Sequence, residues 1–330
     1  MARLLGVFLL VVSLYAMLYQ ANPIALSGGN LVPMAQKQGF FVILTLGAGV
    51  LIISGGIDLS IGSCVAMSAV IFGTLCEKGV PPLLALLAVL LIGAGIGLIH
   101  GLLVTMLRLQ PFLVTLCGLF VYRGLARYFA GDATVGYDTV KLSLVDAPGS
   151  VFQLGALREV ALGTISLFGI PLPTILLLAL ALVVVVGVFL HGSVHGRYLF
   201  ALGGNEEAAR YAGVPVMRYK ILAYVFCSTL ASLGGVLEFL MQSTVQPAST
   251  GEFYELYAIT GAVLGGCSLS GGDGNVVGIL LGTFVLPVLS NMTIWLRSLP
   301  GSLQPTIIGV VLLLGTIADE WFKRRASRKG

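Results

Sequence analysis

Charged residues are scarce in this sequence. Asp, Glu, Lys and Arg together make up 10% of its 330 residues, against about 25% in an average soluble domain. Hydrophobic residues make up 57%, and the mean hydropathy is +1.02. So few charges cannot cover the surface of a water-soluble fold. The composition excludes an ordinary soluble enzyme, a disordered chain and a nucleic-acid-binding protein, and it indicates an integral membrane protein.

Residues that build metal or catalytic centres are also scarce. The five cysteines form no CxxC pair and lie in or at the ends of apolar runs, so we expect them to pack as small apolar side chains. The sequence contains three histidines and none of the patterns HExxH, GxSxG or GxxxxGK[ST]. We therefore expect no metal, no cofactor, no enzymatic activity and no ATP site in this chain.

Long apolar runs are abundant instead. About 20 apolar residues are needed to span a bilayer as a helix. The apolar runs are 4–20, 36–54, 60–77, 82–107, 112–130, 173–191, 219–241, 255–270, 275–291 and 305–322. The run 255–270 is short, so eight or nine spans with re-entrant pieces also fit. The predicted fold is all-α, a single polytopic membrane domain over residues 1–330 with about ten transmembrane helices.

Basic residues are distributed unevenly between the predicted loops. If Arg3 lies inside and ten spans follow, eleven Lys and Arg fall in inside loops and five in outside loops. The inside group includes the basic tail at 323–329. Because basic loops stay in the cytoplasm, both termini are predicted to be cytoplasmic. The polar segment 131–172 is then external, and the segment 191–219 is cytoplasmic.

Glycines recur at every fourth position in three apolar runs, the third with Gly261 and Gly265. Such spacing stacks glycines on one helix face, where a second helix backbone approaches closely. We therefore predict helix packing at Gly93, Gly97, Gly101, Gly278 and Gly282.

Asp58 lies between two apolar runs, in the segment SGGIDLS at 54–60. A carboxylate at membrane depth is costly and is by default a candidate functional residue. Two roles fit Asp58: it caps the next helix, or together with Ser60 it lines or gates a polar path. The pattern GGxxLSxG occurs at both 55–62 and 265–272. This repetition fits an internal duplication of the kind found in transporters, and it equally fits chance in a glycine-rich chain.

Two further charged residues lie inside apolar runs. Arg123 is too deep to reach the interface easily, so it needs a partner or a wet cavity. Contact with a polar solute and a structural ion pair both fit it. Glu238 is similar but lies nearer an outer helix end. Asp58, Ser60, Arg123 and Glu238 are therefore the candidates for a translocation pathway or gate.

The segment 191–219 contains the signals of a short helix. Asn205 is a good N-cap, and Glu206 and Glu207 suit a first helical turn. Gly213 ends the helix. The sequence thus predicts a two-turn helix at 205–212, which either fills a surface loop or docks a soluble partner.

Together these segments resemble the permease subunits of bacterial ABC importers for monosaccharides, of the ribose, xylose and galactofuranose type. The matches run in order from about residue 40 to 320. They are SGGIDLSIGS at 54–63, PFLVTL at 111–116 with RGL at 123–125, ALGGNEEAAR at 201–210 with GV at 213–214, and GGCSLSGG at 265–272. The sequence departs from the family pattern at 272–275, where the family often has a Gly-x-Gly-Thr run.

The resemblance implies a division of labour between several chains. Separate ATPase subunits dock on the cytoplasmic face, a periplasmic substrate-binding protein delivers the solute, and a second permease chain, identical or not, completes the pathway in the inner membrane. It also implies an ATPase-coupling loop. The coupling residues are Gly203, Gly204, Asn205, Glu206, Glu207, Ala208, Ala209, Arg210 and Gly213.

The sequence also fits other classes of protein. A stand-alone secondary transporter or channel would use Asp58, Arg123 and Glu238 as its only plausible ion or proton site. A related permease for branched-chain amino acids or another small solute also fits the resemblance. An intramembrane enzyme has no positive support in the sequence.

Overall fold

The computed structural model describes residues 2–136, 154–167 and 169–295, with scattered positions between 303 and 317. The predicted run 305–322 and the basic tail lie largely outside this part. The helices are α1 (Ala2–Ala21), α2 (Gly28–Ile53), α3 (Ile61–Glu77), α4 (Pro82–Thr105), α5 (Pro111–Ala130), α6 (Leu154–Leu162), α7 (Thr174–Gly187), α8 (Val194–Gly204), α9 (Glu206–Tyr211), α10 (Val216–Gln242), α11 (Tyr254–Leu264), α12 (Val276–Thr283) and α13 (Val285–Trp295).

Proline and glycine set several of these helix ends. Both α4 and α5 begin on a proline, at Pro82 and Pro111. Proline suits the first helical turn because its fixed φ is helical and the amide hydrogen it lacks would have no partner there. At the other end of α5, Gly131 takes the left-handed conformation, with φ of 61°. Such a residue commonly ends a helix.

Five helices of the described part are long and apolar enough to cross a membrane. They are Gly28–Ile53, Pro82–Thr105, Pro111–Ala130, Thr174–Gly192 and Val216–Gln242. Shorter apolar helices lie at Leu4–Gln20, Ile61–Glu77 and Val276–Met292. With 11 residues, α11 is about 17 Å long, well short of a hydrocarbon core of about 30 Å. The predicted count of ten spans is not tested by these helices.

The core of the molecule is built around α2 and α10. In α2, 89% of the most apolar stretch is buried, and in α10 67%, against 28% in α5 and in α7. Helix α10 packs extensively on α4, α3 and α2. The outer helices therefore present their apolar faces outward, as helices in contact with lipid do.

Two pairs of short strands are additions to the predicted all-α fold. Strands β1 (Val135–Gly136) and β4 (Thr244–Val245) pair antiparallel, as do β2 (Thr164–Leu167) and β3 (Ile170–Pro173). The β1–β4 pair joins the chain after α5 to the chain after α10. We call this end of the bundle the ribbon end. The opposite end, which carries α9, is the α9 end.

The glycines spaced by four residues lie where helix backbones touch. A β-carbon at Gly97 would overlap the backbone of Tyr224 and Val225 in α10, and one at Gly101 would lie 2.7 Å from the Ile221 Cα. Gly93 faces Ser232 in the same way, Gly278 faces the Gly265 carbonyl, and Gly282 faces Gly261. These positions are closed to any side chain without movement of the neighbouring helix.

Candidate functional site

The chain is interrupted between α2 and α3, at residues 54–60. Gly55 has a φ of +82°, which side chains with a β-carbon disfavour. The Ser54 hydroxyl donates to the Leu51 carbonyl at 2.7 Å, which satisfies one carbonyl at the end of α2. Ser54, Asp58 and Ser60 are all buried. These three side chains are therefore enclosed in protein, while Gly55 is exposed. Irregular backbone at membrane depth is tolerated where it is buried in protein or lines a water-filled cavity.

Asp58 is held by Ser60. Its Oδ1 accepts hydrogen bonds from the Ser60 amide at 2.8 Å and from the Ser60 hydroxyl at 2.6 Å. As a helix cap, Asp58 would accept hydrogen bonds from free amides within α3. In the structure its hydrogen bonds come instead from Ser60, which precedes the first helical residue, Ile61. Asp58 therefore stabilises the turn that leads into α3.

The second oxygen of Asp58 faces a buried histidine on α4. The Asp58 Oδ2 lies 3.8 Å from the His100 Nδ1, beyond hydrogen-bond distance, and both residues are almost fully buried. The other ring nitrogen, Nε2, shares a hydrogen bond of 2.9 Å with the Tyr122 hydroxyl on α5. A buried polar chain thus ties the interruption to α4 and α5, and sequence reasoning missed it.

The start of α11 lies against the start of α3. The Glu255 carboxylate lies against Gly62 in the first turn of α3, because a β-carbon built on Gly62 would overlap the Glu255 Oε2. Beside it, Gly62 and Gly251 approach so closely that a β-carbon on either would overlap the other's carbonyl oxygen. Glu255, from the distant helix α11, thus places a carboxylate at the start of α3, the helix end at which we predict Asp58 as a cap. Its signal in the sequence was a carboxylate at the first position of the run 255–270.

Arg123 holds the segment that leads into α11. Its guanidinium donates to the Pro247 carbonyl at 3.2 Å and to the Thr250 carbonyl. It also attracts the charges of Glu252 and Glu255. The structure thus gives Arg123 backbone carbonyls as hydrogen-bond partners, which neither predicted role had included.

Glu238 is buried on α10 near the ribbon end. Its Oε1 accepts a hydrogen bond of 3.1 Å from the Tyr254 hydroxyl. Its carboxylate also interacts electrostatically with the positive charge of Lys37. Tyr254 precedes Glu255, so the start of α11 connects Glu238 with the network around Asp58. The four predicted pathway residues are thus joined through α11, although Glu238 and Asp58 share no direct contact among the described residues.

A second interruption separates α11 from α12. Gly266 has a φ of +98°. Asn275 then caps α12, its Oδ1 accepting from the Val277 amide at 2.8 Å and the Gly278 amide at 3.4 Å. The two segments with the repeated pattern GGxxLSxG therefore occupy equivalent places, each between two helices. They also touch, since a β-carbon at Gly271 would lie 2.9 Å from the Gly55 Cα.

The C-terminal end of α8 packs between the interruption that follows α2 and the one that follows α11. A β-carbon at Gly203 would overlap the Ile53 carbonyl oxygen and lie 2.5 Å from the Gly272 amide nitrogen. That same amide donates to the Ile53 carbonyl at 2.9 Å. We call this contact of Ile53, Gly55, Gly203, Gly271 and Gly272 the glycine junction. It leaves room for no side chain at Gly203.

Helix α9 follows the glycine junction directly. As predicted, Asn205 is its N-cap and accepts from the Ala208 amide at 2.9 Å. Glu206 pairs with Arg210 at 3.2 Å and with Lys220 on α10. Ala209 is buried, while Tyr211 is 86% exposed. The helix is thus fixed to the bundle on one side and presents the other outward.

These features define a polytopic membrane protein in which two interruptions between helices contact the segment that leads into the exposed helix α9. A family model described as "Branched-chain amino acid transport system / permease component" matches residues 30–316. The chain belongs to this family of transport permeases, and it is a multi-pass membrane protein.

Named relatives cover nearly the whole chain. The ribose import permease protein RbsC of Escherichia coli K12 is 34% identical over 93% of this chain and 90% of its own length. The Bacillus subtilis strain 168 protein of the same name is also 34% identical, over 96% and 91%. The autoinducer 2 import system permease protein LsrC of Enterobacter sp. strain 638 is 32% identical, over 99% and 89%. These relatives are transport permeases, not enzymes. No solved structure matches the chain.

Proposed function

We propose that this chain is the permease subunit of an ABC importer that takes up a monosaccharide. The relatives named as ribose import permeases support this solute class. The chain's own contribution is the pathway, while ATP hydrolysis belongs to separate ATPase subunits. A periplasmic substrate-binding protein supplies the solute, and a second permease chain completes the pathway.

The proposal includes an orientation in the bacterial inner membrane. The α9 end faces the cytoplasm, with 191–219 as the coupling segment, and both termini lie on that side. The ribbon end faces the periplasm, with 131–172 as a cap whose residues 137–153 lie outside the described part. The excess of basic residues in loops assigned to the cytoplasm supports this orientation.

The glycine junction is the observation that carries the mechanism. It joins the exposed helix α9 to both interrupted segments through backbone atoms alone. Movement of α9 by an attached ATPase is therefore transmitted to the segment that contains Asp58, because a backbone contact this close cannot yield locally. The residues from Gly203 to Arg210, with Gly213, act in this proposal as the coupling element. Asp58, Ser60, Arg123 and Glu238 form the network that this element moves.

The test is ATP-dependent uptake of labelled monosaccharides by the complex in proteoliposomes. Charge reversal on α9, Glu207→Lys with Arg210→Glu, should abolish co-purification of the ATPase while membrane insertion stays normal. The matched control is Lys78→Glu, an exposed residue at the ribbon end, which should retain the ATPase. Uptake by the purified chain without ATPase subunits would contradict the proposal and favour a secondary transporter.

A further inference from the structure

A cleft of about 440 Å³ opens at the α9 end, apart from the glycine junction. It lies between the end of α4, the start of α5, helix α9 and the start of α10. Its polar lining includes Arg108, Gln110, Glu206, Arg210 and Lys220. None of the pathway residues around Asp58 lines it.

The cleft carries an excess of positive charge. Three cationic side chains line it against one carboxylate, Glu206, which is already paired with Arg210 and Lys220. Arg108 forms no hydrogen bond or ion pair with any described residue, and its backbone φ of +53° is rare for a residue other than glycine. Among the described residues, therefore, the Arg108 guanidinium has no partner and lies in a cleft whose lining has a net positive charge.

Two long helices begin at this cleft. Pro111 opens α5 and Val216 opens α10, and both residues line the cleft. Within the described residues neither helix start receives a hydrogen bond from a capping side chain. Pro111 has no amide hydrogen, and the Val216 amide already donates to the Val214 carbonyl at 2.8 Å. The two helix starts therefore contribute mainly the partial positive charge of their dipoles, which favours anions such as phosphate. The helix starts and the basic side chains thus favour the same kind of ligand.

Apolar side chains border the cleft on its outward side. Leu109 is 41% and Met217 42% exposed, and both line the cleft. Phe112, the next residue after Pro111, is 55% exposed. An anion with attached hydrocarbon would satisfy both parts of this surface, because the chains can follow the exposed sides of α5 and α10. Basic pockets between transmembrane helices at the cytoplasmic side are suited to anionic headgroups.

We propose that this cleft binds the phosphate of an anionic phospholipid, with Arg108 as its main ligand and Lys220 and Arg210 in support. The site requires the α9 end to lie at a membrane surface, but it does not require a particular transported solute. A phospholipid headgroup and a soluble phosphate would present the same phosphate anion to this cleft. The apolar border favours the lipid.

The test measures phosphatidylglycerol binding to the full-length chain, purified in neutral detergent, by native mass spectrometry and by lipid titration. We expect phosphatidylglycerol to bind at least tenfold more tightly than phosphatidylcholine. Arg108→Asn should reduce this affinity about tenfold, as expected for loss of a charged hydrogen bond. Asparagine tolerates the left-handed backbone, so the variant is expected to fold, and Arg108→Lys should restore part of the binding.

Arg218→Gln is the matched control. Arg218 is an exposed arginine in the first turn of α10 that does not line the cleft, and its replacement should leave the affinity unchanged. Equal binding of the two lipids, or equal losses in Arg108→Asn and Arg218→Gln, would overturn the proposal. Displacement of the lipid by millimolar inorganic phosphate would assign the cleft to a soluble anion instead. Loss of the lipid whenever the ATPase is bound would assign it to the protein interface.

Discussion

Asp58 is a buried carboxylate whose two oxygens have different partners. One oxygen accepts two hydrogen bonds from Ser60, and the other faces His100. A buried charge is tolerated only when such partners compensate for lost hydration. The same partners make Asp58 the point where the interrupted segment, α4 and α5 are connected. Its structural role and a role in gating are therefore compatible.

Two replacements of Asp58 separate its structural role from a role in gating. Asp58→Asn keeps an oxygen for the Ser60 amide but loses the charge that faces His100. Asp58→Ala loses both and leaves a buried amide without a partner, which costs about 1–3 kcal/mol. We expect Asp58→Ala to lower the melting temperature of the purified protein more than Asp58→Asn. Uptake should fall in both variants, and unchanged uptake in Asp58→Ala would remove any gating role.

Local signals in the sequence predicted the elements better than the contacts between them. The Asn205 cap acts within a few residues, so the sequence alone predicted it. Glu255 and Gly62, in contrast, are far apart in the chain and meet only through packing. Neither the contact between them nor that of His100 with Asp58 has a periodic signal. The repeated pattern GGxxLSxG suggested paired interruptions, but not that they touch.

Gly203 tests the connection between elements. Gly203→Ala places a β-carbon against the Ile53 carbonyl and the Gly272 amide, so α8 must shift from the two interrupted segments. We expect the variant to insert and to retain the ATPase, yet to lose most uptake while ATP hydrolysis continues. The measurement is the ratio of solute transported to ATP hydrolysed in proteoliposomes.

Gly95→Ala is the control for that variant. Gly95 lies within α4 with no neighbouring atom within 4 Å of an added β-carbon, so alanine should be tolerated and helix propensity slightly improved. An unchanged transport ratio in Gly203→Ala would show that the glycine junction does not transmit movement of α9.

At the scale of the whole molecule, the two ends of the helix bundle carry different structural features. The α9 end carries the external helix, the glycine junction and the positively charged cleft. The ribbon end carries the short strands and the Arg158 guanidinium, which donates to the Ser243 hydroxyl at 2.9 Å. A permease that joins an ATPase on one side to a substrate-binding protein on the other needs such a difference. The orientation of the bundle is therefore the property on which the remaining proposals depend.

Cysteine labelling tests that orientation. Cys117 is exposed, whereas the other four cysteines are buried, so a Cys117→Ala background gives little labelling. In it, Tyr211→Cys on α9 should react with a membrane-impermeant maleimide only in inverted vesicles, because Tyr211 is 86% exposed at the proposed cytoplasmic end. Lys78→Cys at the ribbon end should react only in spheroplasts. The reverse pattern would invert the proposed orientation, and reaction of both from one side would contradict a bundle that spans the membrane between these two ends. Protection of Tyr211→Cys by the bound ATPase would place the ATPase on α9 itself.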